Sequence, residues 1–358
     1  MIPVPPVGAT WAAVRSAALS AALAAGSGGC AALLPPYDVP DPPLPAAALR
    51  SDEAFTMPDG AALPVRTWLP PRGASGVASW GASGGGTPRA VVLALHGFND
   101  NRDQWELAGP AFAERGVAVF APDQRGFGAA PGRGTWPGTD VLRADAAAML
   151  RLLRARYPGV PLYAMGESMG GAVLMTLAAG PDAPAVEGWI LLSPAVWGRA
   201  QMGVLLSTGL WLVSSVAPGL RVTGAEVPIR VVASDNREAL LRLARNPLTI
   251  RRTRFGALRG LVDLMDEAQA AAPRVAGPAL VMYGDRDELV PRGATARLWD
   301  ALPAGARRAL YPAGYHLLLR DRGRAAPIGD ILAWMADREG WLPSGADAAA
   351  AAWQAARR

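Results

Sequence analysis

The stretch Gly166-Glu167-Ser168-Met169-Gly170 lies between two apolar segments of the chain. It follows the run 161–165 and precedes the run 171–175, an order that is typical of a strand, a sharp turn and a helix. In a G-x-S-x-G elbow the serine stands at the apex of a strained turn, and the flanking glycines let the strand and the helix approach each other closely. The stretch therefore predicts that Ser168 is a nucleophile presented at the end of a strand.

The histidines narrow the choice of a base, because the chain has only two, His96 and His316. A serine hydroxyl is a poor nucleophile at neutral pH and needs an adjacent base, which in this chemistry is nearly always an imidazole. His316 lies downstream of the serine in a Pro/Gly loop after an apolar strand, whereas His96 ends the buried strand 91–95. We expect His316 to be the base and His96 to be structural. The alternative is that His316 only caps the segment that follows it, or is simply buried there.

A third group should orient the imidazole, and the candidates share the loop after the predicted strand 278–282. They are Asp285, Asp287 and Glu288. With any of these acids the chain order is serine, acid, histidine, which is the order that accompanies a G-x-S-x-G elbow.

These motifs together resemble the α/β-hydrolase superfamily, and more narrowly its branch of monoacylglycerol lipases, lysophospholipases and S33 serine peptidases. In that branch the acid usually opens an Asp-x-x-Val-Pro stretch, as Asp287 does in 287–291, with Asp285 as the alternative. The resemblance also implies that the backbone N–H groups of Phe98, after His96-Gly97, and of Met169, after the nucleophile, form the oxyanion hole.

The resemblance covers 55–341 and implies the α/β-hydrolase fold, a doubly wound, mostly parallel sheet with a helical cap insertion at about 196–272. The alternation of apolar strands and amphipathic helices agrees with one such domain over 51–342. Asp59-Gly60, within 53–69, is a hairpin signal for an antiparallel start of the sheet. We interpret 343–358 as an Ala-rich C-terminal tail.

One segment of the insertion, 203–217, is apolar on nearly all sides yet too short to span a bilayer. It fits a lid helix that faces acyl chains or a membrane surface, and equally an ordinary buried cap helix. Arginines in the same insertion could meet anionic head groups or form a solvated face; they are Arg251, Arg252, Arg254 and Arg259.

The N-terminus has its own pattern, in which an uncharged Ala/Leu/Ser stretch follows Arg15 and a Gly/Ser segment leads to Cys30. Residues 1–30 resemble a secretory signal peptide with a bacterial lipoprotein ending, which implies lipidation of Cys30. The Pro-rich segment 31–50 fits a tether. We therefore expect a membrane-anchored lipoprotein on the periplasmic side of the cell envelope; the alternative is a secreted or periplasmic soluble protein.

Composition sets further bounds. All 35 basic residues are arginine, and a net charge of +5 spread over 358 residues gives no case for a nucleic-acid partner. Two isolated histidines and one cysteine do not form a zinc site of the usual kind, and no phosphate-binding glycine loop precedes the first helix. The sequence implies no cofactor or metal, and leaves the oligomeric state open.

The resemblance implies hydrolysis of a carboxylic ester through an acyl-enzyme, with a monoacylglycerol or a lysophospholipid as the expected substrate class. An S33-type serine aminopeptidase is the first alternative, since acids that could hold a free amine lie in the cap. Those acids are Glu226, Asp235, Glu238, Asp263, Asp266 and Glu267. The second alternative is a non-catalytic envelope lipoprotein that uses the fold as a binding scaffold.

Overall fold

The computed structural model of the chain describes residues 53–71, 87–223 and 231–357. The expectations for the signal peptide 1–30, Cys30, the tether 31–50 and Glu226 lie outside these residues.

An antiparallel hairpin opens the described chain. Strand β1 (Glu53–Thr56) pairs with β2 (Ala62–Trp68), as the Asp59-Gly60 signal predicts. Gly60 has a positive φ of 83°, a conformation that glycine adopts at little cost, and the Asp59 carboxylate accepts the N–H of Ala61 at 3.1 Å. The hairpin joins the rest of the sheet through the antiparallel pairing of β2 with β4.

The remaining strands of the eight-stranded sheet run parallel to one another and are buried over nearly their whole length. In chain order, with the two short strands of a separate ribbon included, the strands are β3 (Ala90–Leu95), β4 (Val117–Pro122), β5 (Leu162–Glu167), β6 (Gly188–Leu192), β7 (Arg221–Thr223), β8 (Arg252–Arg254), β9 (Ala279–Gly284) and β10 (Arg307–Tyr311). The spatial order β1-β2-β4-β3-β5-β6-β9-β10 places β5 near the middle. A continuous apolar run is what a strand covered on both faces requires.

Helices cover the sheet, and a separate apolar core lies on each of its two faces. In chain order the helices are α1 (Ala108–Ala113), α2 (Thr139–Arg156), α3 (Met169–Ala178), α4 (Arg199–Met202), α5 (Val204–Val216), α6 (Arg237–Arg245), α7 (Phe255–Ala271), α8 (Arg292–Ala301), α9 (Ala325–Ala336) and α10 (Ala346–Ala355). The predicted fold class is confirmed by this sheet topology.

The chain between β6 and β9 departs from the alternation and forms the cap, which contains α4 to α7. The cap also contains the antiparallel ribbon of β7 and β8, which the sequence did not predict because each strand has only three residues. Helix α5 is not an ordinary buried cap helix: only Ser214 is buried among its residues. Its apolar side chains are largely exposed, Val204 by 83% and Trp211 by 55%.

Within residues 53–71, 87–223 and 231–357, no helix is both long and apolar enough to cross a bilayer.

The C-terminal segment is not a tail, because helix α10 packs against β10. The indole of Trp353 meets that of Trp299 edge-to-face, with ring centroids 5.1 Å apart. The Asp347 carboxylate accepts the N–H of Leu342 at 3.1 Å and pairs with Arg307. Alanine has the highest helix propensity, so the composition that suggested a tail also suits a helix once these contacts dock it.

Candidate active site

Ser168 stands at the junction of β5 and α3, where the chain turns sharply. Its φ of 53° and ψ of −115° lie outside the regions that a serine ordinarily adopts, which is the strain that an elbow requires. The backbone N–H of Ser168 donates to the carbonyl of Leu192 at 2.9 Å, and its carbonyl accepts from Ala195. The elbow is thus tied to the segment after the neighbouring strand β6.

The glycines of the elbow are required by close backbone contacts. A Cβ on Gly166 would lie 2.5 Å from the carbonyl carbon of Gly170, and a Cβ on Gly170 would lie 2.3 Å from the carbonyl oxygen of Leu95. Both distances are shorter than a Cβ tolerates, so any larger residue would push strand and helix apart. The glycine spacing in the sequence therefore has the structural cause expected of an elbow.

His316 and Asp287 meet in the loops after β10 and β9. Nδ1 of His316 lies 2.8 Å from Oδ2 of Asp287, and both side chains are almost wholly buried. The other carboxylate oxygen of Asp287 accepts the N–H groups of Leu289 and Val290 at 2.8 and 2.9 Å, which fixes the carboxylate in place. Since β5, β9 and β10 are parallel, Ser168, Asp287 and His316 all lie at the carboxyl edge of the sheet.

The other two acids of the loop have different partners. Asp285 pairs with Arg292 at 2.6 Å, and not with Arg286, which lies over the ring of Tyr315. Glu288 accepts the backbone N–H of Val232 at 2.7 Å. The geometry therefore favours Asp287 over Asp285 as the acid beside the imidazole.

The environment of His316 suits a base. Burial disfavours the imidazolium, but the Asp287 carboxylate opposes this effect and the net result raises the pKa of His316 above 6.5. Donation from Nδ1 to Asp287 leaves Nε2 as the nitrogen that can accept a proton. The neighbouring backbone is held on both sides, because Tyr315 N–H donates to Asp321 and Leu317 N–H donates to Ala233 of the cap segment.

His96 has the structural place that the sequence predicts. Its ring is wholly buried; Nε2 accepts the N–H of Gln124 at 3.0 Å, so Nδ1 carries the hydrogen that is donated to the Gly97 carbonyl at 2.8 Å. Burial lowers the pKa of His96, which keeps the ring neutral. Because C=O and N–H point in opposite directions across a trans peptide, this bond orients the N–H of Phe98 away from His96.

Phe98 and Met169 lie beside Ser168 in different ways. A Cβ built on Gly97 would come within 3.4 Å of the Ser168 Cβ, so the turn that carries Phe98 is in contact range of the elbow. Met169 is the first residue of α3, and the N–H groups of a first helical turn have no partner inside the helix. Both backbone N–H groups are therefore candidates for anion binding near the serine.

The sequence did not indicate a group of buried polar residues around this edge. Glu167 lies within the elbow motif itself, but its long-range partner Gln104 has no local signal in the sequence. Arg320 pairs with Asp100 at 2.6 Å, and Asp321 accepts from Ser234 of the cap at 2.6 Å. Burial raises the pKa of Asp321 to about 6.

Comparison with known proteins supplies independent evidence. The family model described as serine aminopeptidase, S33, matches residues 86–323. The chain is 24% identical to the monoacylglycerol lipase of Mycolicibacterium smegmatis over 294 aligned residues. The alignment covers 80% of this chain and 97% of the lipase. It is 25% identical over 243 residues to the monoglyceride lipase of Homo sapiens, covering 66% and 78% of the two chains.

Solved structures support the fold. A soluble variant of the monoglyceride lipase of Saccharomyces cerevisiae, crystallised with a substrate analogue, superposes with a TM-score of 0.64 at 19% identity and covers 84% of this chain and 98% of that one. A monoacylglycerol lipase of Paleococcus ferrophilus gives a TM-score of 0.60 at 19% identity, covering 76% and 98%.

Proposed function

The chain belongs to the serine aminopeptidase S33 family, and on that premise we propose that it cleaves carboxylic esters of lipids, as a monoacylglycerol lipase or lysophospholipase does, through a Ser168–His316–Asp287 triad. At the coarser level of reaction class, the chain is a hydrolase of the lipase and esterase type. The observation that carries the proposed triad is the bond of 2.8 Å between His316 Nδ1 and Asp287 Oδ2, at the sheet edge where the Ser168 elbow stands.

In the proposed mechanism Oγ of Ser168 attacks the ester carbonyl while Nε2 of His316 takes the hydroxyl proton. The imidazolium that forms is stabilised by the neighbouring Asp287 side chain. The tetrahedral intermediate collapses, His316 returns the proton to the leaving alcohol, and Ser168 keeps the acyl group. Water then attacks the acyl-enzyme with His316 again as the base, and the fatty acid leaves.

The negative charge on the carbonyl oxygen would be held by the N–H groups of Phe98 and Met169. Such donors act mainly in the transition state, and the loss of one typically costs about 3 kcal/mol in the barrier. Helix α3 starts at Met169, so its positive N-terminal end also faces the developing charge.

A lipid substrate is supported by the cap. Helix α5 exposes the side chains of Leu205, Trp211, Leu212 and Val216 to more than half of their full extent, an apolar surface that would suit acyl chains or a bilayer. We propose that lipidation at Cys30 adds a second attachment to the membrane and places the enzyme in the cell envelope, on the periplasmic side.

The aminopeptidase alternative needs an acid in the cap that is available to a substrate amine. Four of the five described candidates already have partners. Asp263 and Asp266 pair with Arg199, Glu238 pairs with Arg242, and Asp235 accepts from the N–H of Arg322. Burial raises the pKa of the fifth, Glu267, and so disfavours the charged form that would hold an amine. These contacts favour the esterase.

The test is hydrolysis of nitrophenyl esters from acetate to palmitate, and of an amino-acid nitroanilide, by the full-length chain. We expect ester turnover that Ser168→Ala lowers roughly 10⁴-fold or more while the fold is retained. The best chain length will separate a lipase-like site from a small-ester site. Turnover of the anilide alone would favour the peptidase, and no turnover by a well-folded sample would favour the binding scaffold.

A further inference from the structure

The proposed mechanism leaves one buried acid beside the nucleophile unused. Glu167 is the last residue of β5 and directly precedes Ser168, and it is only 1% exposed. Its Oε1 accepts a hydrogen bond from Nε2 of Gln104 at 2.8 Å. A buried carboxyl is costly unless its polar atoms are bonded, and the amide of Gln104 bonds one of the two carboxyl oxygens.

Gln104 connects Glu167 to the turn after β3. Its side-chain oxygen accepts the backbone N–H of Gly97 at 2.6 Å. The backbone of Gln104 is itself fixed, because its N–H donates to the carbonyl of Asn101 and its carbonyl accepts from Arg320. A path of two hydrogen bonds therefore runs from the residue before the nucleophile to the turn that carries Phe98.

The orientation of the Gln104 amide follows from these partners. The N–H of Gly97 can only donate, so it selects the amide oxygen of Gln104 and turns the NH₂ end toward Glu167. The reversed amide would place NH₂ against the N–H of Gly97. A carboxyl oxygen of Glu167 accepts from that NH₂ end in either protonation state, and so holds the amide oxygen of Gln104 against the turn.

Two bonds then hold the residue before Phe98. The N–H of Gly97 is held by Gln104, and its carbonyl is held by Nδ1 of His96. With both groups of Gly97 fixed, the planar peptide that follows has one orientation, and that peptide carries the N–H of Phe98.

We propose that Glu167 is a positioning residue, which acts through Gln104 to hold the Gly97 turn and so aims the Phe98 N–H at the substrate oxyanion. This inference rests on the proposed function for its catalytic consequence. The oxyanion exists only after attack, so disturbing the relay lowers kcat and leaves KM nearly unchanged.

The charges around Glu167 set its state. His316 and Arg320 favour its ionised form, whereas Asp100 and Asp321 oppose it. Burial is the largest influence and raises the pKa of Glu167 to about 8. At neutral pH the group is mainly the neutral acid, which is easier to bury than a carboxylate and still presents an accepting oxygen to Gln104.

The test compares Glu167→Leu and Gln104→Met with wild type in the full-length chain. In Glu167→Leu the NH₂ end of Gln104 loses its acceptor, and in Gln104→Met the relay is absent. We expect kcat for a soluble nitrophenyl ester to fall about 10-fold in the first and about 100-fold in the second, with KM within about twofold. A trifluoromethyl ketone inhibitor, which forms an oxyanion adduct, should weaken by the same factors.

A second readout does not need turnover. Hydrogen–deuterium exchange at the backbone N–H groups of 96–98 should be faster in both variants, because the acceptor for Gly97 is misaligned or missing. The control is Glu187→Leu, which also removes an accepting carboxyl group; the carboxylate of Glu187 accepts the backbone N–H of Leu162, at the opposite edge of the sheet. It should change neither kcat nor exchange at 96–98.

Unchanged kcat and unchanged exchange in both variants would overturn the inference, as would a rise in KM alone. An inactive wild type would contradict the proposed function, and the exchange measurement would still decide between a held and a free turn. Faster exchange supports the positioning role in that case, and unchanged exchange refutes it.

Discussion

The carboxyl edge of the main sheet and helix α5 of the cap place their polar and apolar side chains in opposite ways. At the sheet edge, Glu167, Asp287 and His316 are buried and each has a defined partner. On α5, Trp211 and Leu212 face solvent and Ser214 is the buried residue. The first arrangement gives a site whose groups are held before substrate arrives, and the second exposes an apolar surface to solvent.

The strongest way to disturb the sheet edge is to change the acid beside His316. In Asp287→Asn the amide can present its NH₂ to Nδ1 of His316, which favours the wrong imidazole tautomer. We expect kcat to fall by about 10⁴-fold, as such a change does in other triads. The measurement is steady-state hydrolysis of a short nitrophenyl ester.

Asp285→Asn is the matched control. Asp285 contacts Arg292 and not the imidazole, so kcat should stay within a few-fold of wild type. A larger loss in Asp285→Asn than in Asp287→Asn would transfer the acid role to Asp285.

The buried acids also predict how stability depends on pH. The pKa of Glu167 is raised from 4.5 to about 8 in the folded state, so folding favours its protonated form. The stability that this group contributes is present below its unfolded pKa and is lost as the pH rises toward the folded value. The free energy of unfolding of wild type should therefore fall relative to Glu167→Gln between about pH 5 and about pH 8, by roughly 2–4 kcal/mol.

Chemical denaturation at several pH values measures this difference. The raised pKa values of His316 and Asp321 act in the same direction, but both groups are present in wild type and variant and largely cancel in the comparison. If the free energies of unfolding of wild type and Glu167→Gln change with pH in parallel, Glu167 has an ordinary pKa.

The sequence predicted the parts of this edge that have local signals. The elbow glycines of Ser168 must be small because strand and helix touch, and Asp59-Gly60 marks a turn because glycine tolerates a positive φ. Asp287 could be chosen from the spacing of its loop, although its contact with His316 joins residues 29 positions apart.

The rest depends on contacts that no short window contains. Gln104 bonds to Glu167 across 63 positions, and nothing in the sequence around Gln104 distinguishes it from the other polar residues of the chain. The exposure of α5 could not be predicted from the sequence either, because a helix that is apolar on all sides has no polar face to indicate which side meets solvent. The docking of helix α10 has no local signal either, since it rests on Trp299 and Arg307, far earlier in the chain.

A smaller effect on stability is expected where the cap contacts the sheet edge, at the hydrogen bond between Ser234 and Asp321. Oγ of Ser234 in the cap donates to Asp321, whose other oxygen accepts the N–H of Tyr315 beside His316. Ser234→Ala removes one partner of a buried carboxyl, and we expect the free energy of unfolding to fall by about 1–2 kcal/mol. Ser207→Ala is the control: its hydroxyl bonds only to carbonyls of its own helix turn on the exposed α5, so its effect should be within about 0.5 kcal/mol. Equal effects of the two substitutions would mean that the Ser234–Asp321 hydrogen bond contributes little to stability.

The smallest effect on stability is expected on α5, where the change should appear only with a lipid surface. Trp211→Ser removes a side chain that is 55% exposed, so the free energy of unfolding should change by less than about 0.5 kcal/mol. Turnover of a long-chain ester presented in phospholipid vesicles should nevertheless fall several-fold, because the apolar surface that meets the lipid is reduced.

The matched control is Trp341→Ser, at an indole that is 80% exposed and lies in the segment near the start of β10, at the opposite edge of the sheet. It should leave vesicle turnover unchanged, and both variants should hydrolyse a soluble short-chain ester at the wild-type rate. If Trp211→Ser lowers the soluble and the vesicle reactions equally, α5 acts on the site itself, and the contrast between a held sheet edge and a lipid-facing helix no longer stands.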